Sequence, residues 1–293
     1  MTSVTQPRSP STPLAAGPEH VVFAADDSFG AVAAASWLQE RAAALPMTIE
    51  VAVVEGHVRA AQHHGTPHRI GEGVAWSMRE HLQACIPGAR LTVRTMTGDV
   101  ASALRSAASD ADLLVLGCNR NGFWKHLPVA TRSTRIAEIA VRPTVVVPAH
   151  WTPRRGDVVA AVASHGGEAV TDWAASEAAA MGRPLVLVRG NLLPWSAGVT
   201  ALPVDDTALL DEVDRRLLAT LAARARAAHP GLDVRTELEH EGLVPGLVEL
   251  GGTAAAIVIG THQGGGPRLG SVLRGVLESP SCPVVVVPTG PVR

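Results

Sequence analysis

The chain has 293 residues, of which 46% are apolar and 18% charged, and a formal net charge of −2. This balance excludes an intrinsically disordered chain, and it argues against a generic nucleic-acid or membrane-surface binder, which would carry a basic excess. The three cysteines lie far apart at 85, 118 and 282 without a CxxC pair, so we expect a reducing, cytoplasmic location and no disulfide framework.

The first 18 residues contain several prolines where a signal peptide would have an apolar core. We therefore predict a disordered tail over residues 1–18. The sequence has no apolar run of the roughly 18–20 residues that a bilayer span requires.

The remainder repeats itself at a nearly constant spacing. The matched segments are 21–25 (VVFAA) with 158–162 (VVAAV), 112–117 (DLLVLG) with 255–260 (AAIVIG), and 143–148 (PTVVVP) with 283–288 (PVVVVP). Any α/β protein has valine-rich strands, but here the flanking glycines and prolines repeat as well. We predict one domain over residues 19–149, a linker over 150–156 and a second domain over 157–289.

Strands and helices alternate within each half. In the second half we predict strands at 158–162, 184–188, 232–238, 255–259 and 284–287, and helices at 168–181, 205–228, 245–250 and 271–278. Apolar spacing in the long helix predicts one buried face made of Leu209, Leu210, Val213, Leu217 and Leu221. The fold class is therefore α/β, with two tandem Rossmann-like doubly wound domains, each a five-stranded parallel sheet flanked by helices.

Ligands of such sheets bind beyond the carboxyl ends of the strands, where the strand order reverses. After the first strand the chain reads Asp26-Asp27-Ser28, and an acid here could accept hydrogen bonds from ribose hydroxyls. The alternative is that both aspartates are turn residues, with Ser28 capping the next helix. The second half has Ala163 in the place of Asp26.

A glycine-rich segment follows the fourth strand of the second half. It includes Gly260, Gly264, Gly270 and Ser271. Backbone N–H groups in such a loop and at the following helix N-terminus form an anion site, and Ser271 could cap that helix. The alternative is a flexible connector, and the pattern is not a Walker loop because no Gly-Lys-Ser/Thr follows.

The corresponding first-half segment keeps Gly117, Gly122 and Thr131. It also carries Arg120, Lys125 and Arg132, which would either meet phosphates or form solvated surface.

The chain resembles a tandem universal stress protein. The features that carry the resemblance are a small-residue helix (WAASEAA, 173–179), a Gly-x-Val-Ala turn (98–101), a final CPVVVVP strand (282–288) and partial copies of the family's phosphate motif, G-x2-G-x9-G-[S/T]. The resemblance implies binding of an adenine nucleotide, ATP with Mg²⁺, through Asp26, Gly117, Gly122, Thr131, Gly260, Gly264, Gly270 and Ser271. It also implies that the two final valine strands pair within the chain as a pseudo-dimer, and a homodimer is plausible.

The chain departs from the family pattern differently in each half. In the first half Arg120 and Ala130 stand where the motif has its second and third glycines; in the second half the loop is three residues short and the acid is absent. Each half thus keeps a different part of the site. Two alternatives to a regulatory nucleotide binder stay open: a nucleotide-free interaction protein with degenerate sites, and, ranked lower, a slow ATP hydrolase.

No other motif indicates chemistry. Four histidines cluster at 57, 63, 64 and 68 in a Gly- and Pro-containing stretch, where a metal site would need a fixed ligand geometry. Cys118 beside the proposed nucleotide loop is either a redox sensor or a small turn residue. We find no hydrolase elbow or paired-carboxylate motif, and so assign no catalytic residue and no metal ligand.

Overall fold

The computed structural model describes residues 17–55, 67–118, 140–164, 166–190, 204–240, 242–262, 267–278 and 280–289. The chain divides into two compact units, Met1–Thr152 and Pro153–Arg293. The longer stretches outside the described part are residues 1–16, 56–66, 119–139 and 191–203, and they include Gly122, Thr131 and all but the last two residues of the predicted tail.

The first unit is a five-stranded parallel sheet with the order β3-β2-β1-β4-β5. Its elements are β1 (Glu19–Ala24), α1 (Phe29–Ala42), β2 (Met47–Glu55), α2 (Pro67–Cys85), β3 (Arg90–Thr97), α3 (Val100–Ala107), a 3-10 turn (Ala108–Asp110), β4 (Leu113–Cys118) and β5 (Thr144–Pro148). The side chains of Val21, Val22 and Phe23 in β1 are fully buried, as expected for a central strand covered on both faces.

The second unit has the same kind of sheet, with the order β10-β9-β6-β7-β8 and every pairing parallel. Its elements are β6 (Val158–Ala161), α4 (Gly167–Ala180), β7 (Leu185–Gly190), α5 (Val204–Ala228), β8 (Val234–Glu239), α6 (Leu243–Gly251), β9 (Ala256–His262), α7 (Pro267–Glu278) and β10 (Val284–Thr289). The predicted α/β fold class is confirmed.

The predicted buried face of α5 is wrong in its first half. Leu209, Leu210 and Val213 are 66%, 40% and 55% exposed. From residue 208 onward, where the side chains of this helix are described, the buried residues are Asp214, Leu218, Leu221, Ala222 and Ala225. The helix therefore has two overlapping rows of apolar residues, one exposed and one buried. The buried row contains small alanines and an aspartate as well as leucines. Apolar spacing does not predict this buried face, because one of its positions is occupied by a charged residue, Asp214.

A second difference concerns the start of α7, predicted near Ser271 and observed at Pro267. Proline suits the first position of a helix because its φ is already helical and its missing N–H would have no partner there. Ser271 is therefore the fifth residue of α7, and the prediction that it caps this helix is wrong.

A buried ion pair fastens α1 to the amino-terminal end of β1. Arg41 donates from Nε and Nη2 to the two carboxylate oxygens of Glu19, at 2.9 and 3.0 Å. The Arg41 guanidinium also lies 5.4 Å from the ring centroid of Trp37. This charged cluster lies at the opposite end of the sheet from the carboxyl ends where ligands of parallel sheets bind.

Among the helices of the described part, none combines the length and the apolar character that a bilayer crossing demands.

Candidate functional site

The strand order of the first unit reverses between β1 and β4, so their carboxyl ends flank the crevice where parallel sheets bind ligands. β1 pairs with β4 up to Ala24 opposite Leu116. Asp26 follows β1 by two residues and Gly117 follows Leu116 directly. The structure therefore brings these two predicted site residues to the same edge of the sheet.

Asp26 is buried, with 6% of its surface exposed. Its Oδ1 accepts a hydrogen bond from the backbone N–H of Ser28 at 3.1 Å, and Ser28 Oγ in turn accepts one from the N–H of Ala31 at 3.2 Å. The expected cap by Ser28 is confirmed, and Asp26 has the turn role that the alternative interpretation gave it. An ionised carboxylate offers about four acceptor positions, more than the hydrogen bond to Ser28 uses.

Gly117 is required by packing. A Cβ at Gly117 would lie 2.0 Å from the carbonyl carbon and 2.1 Å from the carbonyl oxygen of Gly30 in α1. A Cβ at Gly30 would lie 3.1 Å from the backbone nitrogen of Cys118. The first turn of α1 thus rests directly on the backbone of β4. The signal for this contact was Gly30 itself, because a glycine inside a helix is costly and calls for a local reason.

The equivalent edge of the second unit is packed by side chains. A Cβ at Gly260 in β9 would lie 2.8 Å from Val170 Cγ2 and 3.0 Å from Thr289 Cγ2. Gly166, with φ of +73°, precedes α4 and also lies against Thr289. Thr289 Oγ1 donates to the carbonyl oxygen of Thr261 at 2.5 Å. Gly260, like Gly117, is therefore explained by close packing.

Arg189 near the end of β7 is a residue that the sequence interpretation missed. Its Nη2 donates to Ser164 Oγ at 2.7 Å, its Nη1 donates to the carbonyl oxygen of Val162 at 3.3 Å, and its Nε donates to Asp214 of α5. The side chains of Arg189 and Asp214 are 16% and 8% exposed. The guanidinium therefore ties the turn after β6 to α5. An arginine in an otherwise apolar buried strand was the available signal.

The remaining predicted residues of the phosphate loops are only partly described. Gly270 and Ser271 lie in the first two turns of α7, while Gly264 and the whole of residues 119–139 lie outside the described part. Their contacts with a ligand stay predictions.

The histidine side chains at 57, 63, 64 and 68 also fall outside the described part. Within the side chains that the structure describes, no three His, Cys, Asp or Glu groups come together as a metal site. Cys85 and Cys118 are half-buried and Cys282 is buried. Desolvation raises the pKa of the Cys282 thiol to about 12.

Residues 155–288 match the model of the universal stress protein family. This chain carries a universal stress protein domain. The match covers most of the second unit and confirms, for that unit, the family indicated by the motifs.

A universal stress protein of Mycobacterium tuberculosis is 26% identical over 212 residues, which make up 68% of this chain and 65% of the relative. A universal stress protein of Mycobacterium bovis matches to the same extent. The chain therefore matches somewhat less than two thirds of the length of these relatives. A crystal structure of a universal stress protein from Archaeoglobus fulgidus superimposes with a TM-score of 0.64 at 13% identity, covering 93% of this chain and 97% of that one, a likeness of fold.

Proposed function

We propose that this universal stress-type protein binds an adenine nucleotide, ATP with Mg²⁺, in at least one unit, and that occupancy regulates its conformation or its binding of a partner protein during stress. The observation that supports this most directly is Asp26, a buried carboxylate at the carboxyl end of the central strand β1, beside the point where the strand order reverses. We propose a regulatory rather than a catalytic role, in line with the sequence, which shows no hydrolase elbow and no paired-carboxylate motif.

The residues near Asp26 suit a nucleoside. Asp26 would accept a hydrogen bond from a ribose hydroxyl while keeping its bond to Ser28. Val53 and Val54 near the end of the neighbouring strand β2 are apolar, so this side of the turn brings no charged group next to a bound base. The phosphates would meet backbone N–H groups of the glycine-rich segment after β4, where Gly122 and Thr131 are the proposed contacts.

Thermal melting with Mg-ATP tests the proposal. A ligand at 100 times its dissociation constant stabilises the folded state by about 2.7 kcal/mol, which raises the melting temperature by several degrees. Mass spectrometry of small molecules released from freshly purified protein identifies a co-purified nucleotide. A chain that neither shifts its melting temperature nor releases a nucleotide would exclude the proposal.

A nucleotide-free interaction protein is the second candidate. Its support is that packing against α1 and α4 accounts for Gly117 and Gly260 without any ligand. On this hypothesis Asp26→Ala and Gly270→Arg leave binding of a partner protein unchanged, whereas nucleotide regulation requires that at least one of them alters it.

The proposed location is the cytoplasm, and the proposed assembly pairs the valine-rich strands β5 and β10 within one chain, with a homodimer as a further step. Light scattering measures the mass in solution, and the mass of a single chain would exclude the homodimer.

A further inference from the structure

We infer that Arg189 closes the crevice of the second unit, so that a nucleotide enters the first unit and is kept out of the second. This inference rests on the proposed function, because it concerns which unit takes the nucleotide. Arg189 and its hydrogen-bond partners, which are Asp214, Ser164 and the carbonyl of Val162, are called the arginine clamp below.

The two units differ at equivalent positions of their sheets. Ala24 of β1 pairs with Ala52 of β2, and its repeat equivalent Ala161 of β6 pairs with Val188 of β7. The next residue along is Val53 in the first unit and Arg189 in the second. One strand end thus offers a buried apolar side chain, and the other offers a cation.

The guanidinium uses the polar groups of the turn that a ligand would approach. Val162 and Ser164 follow β6, in the place that Ala25 and Asp27 hold after β1 in the repeat. The Val162 carbonyl and the Ser164 hydroxyl both accept hydrogen bonds from Arg189. A ribose at this turn would have to displace both bonds, and it would find Ala163 where the first unit has Asp26.

Displacing the clamp is costly because its charges are buried. Arg189 and Asp214 are 16% and 8% exposed, and moving the guanidinium away would leave the carboxylate of Asp214 buried without its partner. Uncompensated buried charges are strongly unfavourable, so the clamp resists opening. A ribose hydroxyl at this turn is neutral, so it could not replace the guanidinium as the partner of the Asp214 carboxylate.

Equilibrium dialysis of the full-length chain against millimolar Mg-ATP counts the nucleotides bound per chain. We expect one for the natural chain. We also expect one for Ala163→Asp, which restores the acid but keeps the clamp. The triple variant Ala163→Asp/Arg189→Val/Asp214→Leu is expected to bind two. It gives the second unit the residues that the first unit has at the positions equivalent to 163 and 189, and it removes both charges of the buried arginine–aspartate pair.

A matched control removes another arginine–aspartate pair of the second unit, one that also involves α5. Arg224 of α5 donates to both carboxylate oxygens of Asp172 in α4, and this pair is more exposed than the clamp, at 52% and 26%. Ala163→Asp/Arg224→Val/Asp172→Leu is expected to bind one nucleotide. Should the triple variant fail to fold by circular dichroism, Ala163→Asp/Arg189→Lys replaces it: lysine keeps the charge but lacks the fork, so weak binding of a second nucleotide is expected.

The outcomes separate the two proposals. Two nucleotides on the natural chain or on Ala163→Asp would overturn the clamp, as would a folded clamp-free variant that gains none. No nucleotide on the natural chain contradicts the proposed function in the first unit, but a gain of one by the triple variant would still support the clamp. If neither the natural chain nor the folded triple variant binds a nucleotide, both the proposed function and the clamp are overturned.

Discussion

Asp26 accepts a hydrogen bond from the backbone N–H of Ser28 and is also a proposed ligand contact. A conservative substitution can distinguish its effect on stability from its effect on ligand affinity. Asn keeps an oxygen that accepts from the Ser28 N–H but lacks the negative charge, while Ala lacks both. A hydrogen bond to a charged group contributes about 1.5–3 kcal/mol, against about 0.5–1.5 kcal/mol for a neutral one.

We expect Asp26→Asn to fold with nearly natural stability and to bind Mg-ATP about ten times more weakly, since part of a charge-assisted hydrogen bond is lost. Calorimetric titration gives the affinity and chemical denaturation gives the stability. Unchanged affinity in this folded variant would remove Asp26 from the proposed site.

Gly117 and Gly30 form a backbone contact that no larger residue can enter. Gly117→Ala should destabilise the first unit by about 1–3 kcal/mol or more, because its Cβ would lie 2.0 Å from backbone that cannot move without displacing α1. Gly73→Ala in α2 is the control: a Cβ there meets nothing within 4 Å, and alanine in a helix gains about 0.5–1 kcal/mol. Urea unfolding monitored by circular dichroism measures both, and equal stability of the two variants would contradict the contact.

Cys282 should resist alkylation because burial raises the pKa of its thiol from the ordinary 9.0 to about 12. At pH 9 iodoacetamide is expected to modify Cys282 only after unfolding, as peptide mass spectrometry would show. The raised pKa means that this thiol supports folding below pH 9 and that its contribution falls as the pH rises from 9 towards 12, by about 1.4 kcal/mol per unit. Cys282→Ala should lack this loss, and rapid labelling of the folded chain would disprove the burial.

At the scale of elements, the turn before each unit's third helix has a left-handed glycine, with φ of +108° at Gly98 and +117° at Gly242. The helices then begin differently. Asp99 caps α3 by accepting from the backbone N–H of Ser102 at 3.0 Å, whereas α6 follows Gly242 without a side-chain cap.

Asp99→Ala should therefore lower the free energy of unfolding by about 1 kcal/mol, the usual contribution of an N-cap. Asp99→Ser is the matched control, because serine can accept the same hydrogen bond, and it should retain most of the stability. Thermal denaturation compares the three chains, and an alanine variant as stable as the natural chain would show that the cap contributes nothing.

Local sequence patterns predicted most of the helices and strands, but they did not predict all of the tertiary contacts that these elements make. The strand and helix order followed from valine runs and helical spacing, and residue type sufficed for the Ser28 cap. The buried face of α5 did not follow, because Asp214 is buried against a partner, Arg189, that lies outside the helix on strand β7. The contact of Gly30 with Gly117 likewise joins residues far apart in sequence. Long-range pairings of this kind leave no periodic signal in either segment.

At the scale of the whole molecule, the first unit keeps its buried ion pair and its proposed ligand contact at opposite ends of the sheet. In the first unit Glu19 and Arg41 lie at the amino-terminal end of β1, while Asp26 lies past its carboxyl end. Stability and ligand affinity should therefore respond to different substitutions.

Glu19→Ala should lower the free energy of unfolding by about 3–5 kcal/mol, because Arg41 would remain as a buried charge without its carboxylate. The affinity of the folded fraction for Mg-ATP should not change. The double variant Glu19→Leu/Arg41→Leu should recover much of the stability, since it leaves no buried charge. Denaturant unfolding and calorimetry measure the two quantities, and a double variant less stable than Glu19→Ala would contradict this account.

The position of Glu19 as the first residue of β1 also governs where the chain can be shortened or joined to another protein. A chain that begins at Gly17 keeps the carboxylate that neutralises Arg41, whereas one that begins at Val21 loses it together with the start of the central strand. These two starting points are only four residues apart. A fusion partner attached before Gly17 should accordingly be tolerated, and one attached inside β1 should yield an insoluble product.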